Sequence, residues 1–147
     1  MTLKNWLANG WLREHDTSAE EVADLLGVIE RDLRDASVDG LSADWRMNIA
    51  YNAALQVATL ALAAEGYRAE RQRAHERTIQ SLRHTIGATP GLIDTLDGVR
   101  RKRNVNSYER SDTASSSEAD EVYQLAVDLR GRLMTWLEET HPELMTA

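Results

Sequence analysis

Residues 49–64 are apolar at nearly every position, broken only by Asn52, Gln56 and Thr59. A helix of this kind has no polar face to give to water, so it must be covered on all sides. The run falls short of the roughly 18 uninterrupted apolar residues of a membrane span, and it is rich in Ala, whose small side chain lets neighbours approach closely. Ser42 is placed to cap the start of the helix, and Gly66 suits the left-handed position just past Glu65. The segment reads as the central helix of a bundle, and no membrane is expected as a partner.

The remaining segments read as its covering helices. Thr17 or Ser18, followed three residues later by Glu20 or Glu21, is a capping-box signature. It opens a helix to about residue 36 with Val22, Leu25, Leu26, Ile29 and Leu33 on one face. A last helix over 118–139 repeats the pattern with Val122, Leu125, Leu129, Leu133, Trp136 and Leu137. Between them, a helix over 69–86 places His75, Ile79, Leu82 and Ile86 on one side and ends at Gly87. Pro90 and Gly91 open another that carries Leu92, Ile93, Leu96 and Val99 inward. A flanking helix over 3–13 contributes Trp6, Leu7 and Trp11, and 111–117 reads as a loop. Trp45 and Trp136, like Trp6 and Trp11, are expected to be core or dimer-interface anchors, and Tyr51 a core residue.

Cys and Phe are absent and only two Pro occur, so a disulfide framework and a thiolate site are excluded and a β-sandwich is hard to build. The expectation is an all-α, up-and-down bundle of about five to six helices in a single domain over 1–147, with its core at about 17–139. Residues 1–15 are too short and too polar for a signal peptide or a span, which points to the cytoplasm.

Charge is distributed unevenly. Residues 66–110 hold ten basic and five acidic residues, a balance of +5, which leaves −12 for the rest of a chain whose net charge is −7. One region is thus suited to an anion while the remainder keeps the chain soluble. The centre of that region is Arg100, Arg101, Lys102, Arg103, Asn104, with Tyr108 and Arg110 following, near what reads as a helix C-terminus. Guanidinium groups grip phosphate oxygens bidentately and keep their charge, which suggests Arg100, Arg101, Arg103 and Arg110 as phosphate ligands. His75 and Arg71 are secondary candidates, reaching the cluster if their helix packs against the next one. No His-x-x-x-His pair occurs, so neither a metal nor another cofactor is expected.

The central segment Ala50-Tyr51-Asn52-Ala53-Ala54-Leu55 and the stretch Arg101-Lys102-Arg103-Asn104, with Tyr108-Glu109 after three residues, resemble the HEPN (higher eukaryotes and prokaryotes nucleotide-binding) domain over about residues 42–137. The resemblance implies a homodimeric helical bundle with its polar motif near the dimer interface. It also implies binding of RNA or a nucleotide, and in many members metal-independent ribonuclease activity of the toxin–antitoxin or defence type. In that chemistry the ribose 2′-hydroxyl attacks the adjacent phosphate, an Arg offsets the phosphorane charge and a His four to six residues later moves the proton. Arg103 and Asn104 match the opening of the motif, but Tyr108, Glu109 and Arg110 occupy the positions of the His. With Arg103, Asn104 and Tyr108 as its reacting group, the site is a degenerate ribonuclease motif. The expected function is RNA or nucleotide binding. The alternatives are a ribonuclease in which His75 or Tyr108 replaces the missing His, or an interaction subunit pairing with a nucleotidyltransferase-like partner protein.

Overall fold

The apolar run forms α3 (Ala43–Ala64), and the rest of the chain is arranged around it. The computed structural model describes residues 1–109 and 114–146, the side chains of 104–109 excepted. In chain order the other elements are α1 (Leu3–Ala8), β1 (Leu12–Glu14), α2 (Ala19–Ala36), β2 (Tyr67–Ala69), α4 (Ala74–Gln80), α5 (Pro90–Glu109) and α6 (Ser116–Thr140). Single 3-10 turns follow α4 (Ser81–His84) and α6 (Pro142–Met145). The fold is an all-α helical bundle with one two-stranded sheet.

Helix α3 starts where Ser42 accepts a hydrogen bond from the Trp45 N–H and ends before Gly66, which adopts φ 92°. It is the one described helix long and apolar enough to cross a membrane, and most of it is covered by its own chain. Ala50, Ala54, Val57, Ala58, Leu60 and Ala61 are buried to within rounding or nearly so. Helices α2 and α6 cover two sides, presenting Val22, Ile29 and Leu33 from one and Val122, Leu129, Leu133 and Leu137 from the other. The ion pair of Arg130 with Glu30, at 2.5 Å, links α6 to α2, and that of Arg46 with Asp120 links α3 to α6. Asp32 of α2 is buried and accepts from Asn52 Nδ2 of α3 at 2.6 Å and from Arg31 Nη2 at 3.1 Å, so its charge is met on both oxygens.

Four expectations are corrected. The N-terminal helix is shorter than 3–13, because Gly10 at φ 79° turns the chain and Leu12–Glu14 becomes a strand. That strand pairs antiparallel with Tyr67–Ala69, so the helix expected over 69–86 begins only at Ala74 and yields to a 3-10 turn at Ser81. Helix α5 runs on to Glu109, which places the basic run in mid-helix, away from the C-terminal end of the dipole. The loop expected over 111–117 is already helical from Ser116, where Ser115 and Glu118 form a capping box; 111–113 lie outside the described residues.

Trp6 is buried with Leu12 and Leu62 in a small second cluster under α1 and the sheet, and Trp11 and Trp136 are half-buried. Trp45 is 63% exposed at the start of α3, so it is no core anchor. The weight of the fold lies on the α3–α6 contact. Leu129→Ala removes a fully buried side chain there and is expected to cost about 2–5 kcal/mol, read as a lowered urea midpoint with an unchanged slope.

Candidate functional site

Helices α4 and α5 pack against one another and against α3, and the side chains singled out by the charge distribution meet at that junction. The chain enters α4 through Arg73, the one described non-glycine residue in the left-handed region, at φ 58°. Its guanidinium holds Glu76 of the first turn through Nε–Oε2 and Nη2–Oε1 contacts of 2.6 and 2.8 Å.

On α5 the organising residue is Asp97, which is buried. One carboxylate oxygen accepts from Arg100 Nε at 2.8 Å and the other from Arg101 Nη1. The two pairs differ in character. The Arg100 and Asp97 side chains retain 19% and 10% of their exposure, whereas Arg101 is 65% exposed. Arg100 is thus enclosed with its partner, while Arg101 reaches the same carboxylate from solvent. Lys102 pairs with Glu118 in the first turn of α6. Arg103 lies over the ring of Tyr51, 5.2 Å from its centroid, a cation–π geometry against a buried aromatic of α3.

The cluster contains three guanidiniums, from Arg100, Arg101 and Arg103, two of them paired with Asp97, and Glu76 of α4 also acts on Arg100. Two neighbours register that field. Burial first, and then the Arg103 and Arg100 guanidiniums, hold the His75 imidazole below the usual histidine value of 6.5. Burial pushes the Tyr51 phenol above its usual value against the opposing pull of the same two arginines. The Tyr51 hydroxyl is buried and has no hydrogen-bond partner among the described residues. The arrangement offers anion-binding guanidiniums beside an imidazole that stays neutral at neutral pH.

Of the sequence candidates, the structure places Arg100, Arg101 and Arg103 along one stretch of α5, and His75 of α4 lies exposed within the field of Arg100 and Arg103. Arg71 lies exposed in the turn before α4, where its carbonyl accepts from the Ala74 N–H. The side chains of Asn104 and Tyr108, and all of Arg110, lie outside the described residues. Sequence reasoning missed Asp97 and the aromatic seat that Tyr51 gives Arg103. The first had a signal, since Asp97 stands three and four residues before Arg100 and Arg101, the spacing of helical ion pairs. Among the described residues, no group of three or more acidic or imidazole side chains is gathered as a metal site. No protein-family model matches the chain, and neither the curated proteins nor the solved structures contain a significant match to it.

Because the folded chain takes up a proton at His75 less readily than the unfolded chain does, His75 contributes stability above pH 6.5 that is lost as pH falls below that value. His84 is shifted the same way, by burial, then Arg83 and the N-terminal amine. NMR titration separates the two: the His75 midpoint is expected below 6.5, moving up in R103Q while that of His84 stays in place.

Proposed function

We propose that this chain is an HEPN-like RNA-binding module, acting as a homodimer, in which the middle of α5 meets the phosphate backbone. The observation that supports the reading is the positioning of three guanidiniums along α5, Arg100 and Arg101 on the buried Asp97 carboxylate and Arg103 on the Tyr51 ring, with His75 of α4 in the field of Arg100 and Arg103. Arg101, loosely held at the surface, transfers from Asp97 to a phosphate oxygen. Arg103, seated on Tyr51, supplies a second positioned guanidinium. Asn104 and Tyr108 follow on the same helix and are assigned to the site by the HEPN resemblance.

The test is RNA affinity as a function of salt. R101Q together with R103Q is expected to weaken binding of a single-stranded RNA and, with two phosphate contacts removed, to reduce the slope of log affinity against log salt by about 1.4. An unchanged slope in a variant with the parent circular dichroism spectrum overturns the reading.

A second reading is favoured by His75 itself. A neutral imidazole in the field of two guanidiniums is equipped to accept the proton of a ribose 2′-hydroxyl as that oxygen attacks the adjacent phosphorus, with Arg100 and Arg103 offsetting the phosphorane charge. The 5′-oxygen leaves with a proton from solvent, giving a 2′,3′-cyclic phosphate and a 5′-hydroxyl. This reading expects RNA cleavage in the presence of a chelator, at a rate that rises with pH through the His75 midpoint and falls at least a hundredfold in H75A. Intact RNA at high protein concentration overturns it and leaves the binding reading untouched.

A further inference from the structure

A separate cavity of about 230 Å³ opens between the β1–β2 pair, α3 and α4. Its polar lining comes chiefly from Arg13, Gln56, Thr59, Arg68 and His75, and no carboxylate is among the described residues that line it. Arg13 and Arg68 are direct cross-strand partners. Like charges placed opposite one another destabilise a strand pair, and a three-residue ladder has little pairing energy with which to offset the repulsion.

The protein compensates for these charges in part. Arg13 Nη1 donates to the Ala69 carbonyl at 3.2 Å, a neutral acceptor. Arg68 Nη1 lies 3.6 Å from Glu21 Oε2, but both oxygens of that carboxylate are already 2.9 Å from His15 Nε2. A dianion lodged between the two guanidiniums supplies what the ladder lacks. The opposite wall has a different chemistry. Thr59 spends its hydroxyl proton on the Leu55 carbonyl at 2.9 Å, so its oxygen faces a ligand as an acceptor, and Gln56 both donates and accepts. An acceptor wall facing two cations suits a molecule with an anionic end and hydroxyl donors. The volume, below the roughly 300 Å³ at which pockets for drug-sized ligands begin, limits that molecule to a small one.

We propose that this cavity binds a small hydroxylated phosphate monoester, its phosphate bridging Arg13 and Arg68 and its hydroxyls directed to Thr59 and Gln56. The inference is independent of the RNA reading, although His75 stands at the edge of both sites.

Calorimetry with ribose 5-phosphate, ribose and inorganic phosphate, performed without RNA, tests it. Ribose 5-phosphate is expected to bind more tightly than inorganic phosphate, and ribose not measurably. R13Q and R68Q each weaken the sugar phosphate at least tenfold, and T59V weakens it while leaving inorganic phosphate unchanged. Ligand-free R13Q is expected to melt at or above the parent temperature, since a repulsion is removed, which separates loss of the site from loss of the fold. No heat with millimolar ribose 5-phosphate, equal affinity for ribose, or undiminished binding in R13Q and R68Q overturns the proposal. So does inorganic phosphate binding as tightly as the ester, or R13Q melting below the parent.

Discussion

A helix with no polar face has no stable place at a surface, and the enclosure of α3 is the constraint from which the arrangement of this protein follows. Each Leu or Val buried on it contributes about 1.5–3 kcal/mol, and only a full set of neighbours secures that gain. Helices α2 and α6, with their clean apolar stripes, take two sides. The side left over goes to shorter and more polar elements: β2, α4, the 3-10 turn and the start of α5. These are also the elements that carry the excess basic charge. Closing the core thus brings α4 to α5, and with it His75 into the field of Arg100 and Arg103.

Holding like charges together requires a counter-charge, and Asp97 is the one the helix supplies. Its position three and four residues before Arg100 and Arg101 lets a single buried carboxylate take both guanidiniums from within the same helix. The outcome is unequal by design of geometry: Arg100 is enclosed with Asp97, and Arg101 reaches the same carboxylate from solvent. Tyr51 gives Arg103 a ring face to lie on, so the third guanidinium is positioned against a buried aromatic of α3. A surface organised in this way holds its guanidiniums in defined positions.

Much of this was legible in the sequence where the signals were local and long. Ser18, Ser42 and Gly66 mark helix ends with their own side chains or backbone freedom, and the periods of α2 and α6 extend over many turns. The β1–β2 pair was not legible. Three residues give no alternation to count, and the pairing of Arg13 with Arg68 joins segments 55 positions apart, so nothing in either neighbourhood announces it. Missing the pair lengthened both flanking helices in the sequence reading, since Leu12 and Ala69 fit a helical pattern equally well. The extent of α5 was misjudged for the opposite reason. A run of cations near a polar stretch suggested a helix end, but Arg and Lys are good helix formers, and a partner carboxylate one turn back removes the need for a terminus.

The three residues that interrupt the apolar run, Asn52, Gln56 and Thr59, carry the clearest link between sequence and site. They stand at intervals of four and three, which puts them on one stripe of α3. A polar stripe on an enclosed helix costs stability unless each group is met, and each is accounted for differently. Asn52 donates to the buried Asp32, Thr59 donates to the carbonyl one turn behind it, and Gln56 lies with Thr59 on the cavity wall. The stripe therefore begins in a satisfied contact between helices and ends in open space opposite two arginines. Its last part is the place where the central helix stops being only a core element and turns its chemistry toward a ligand.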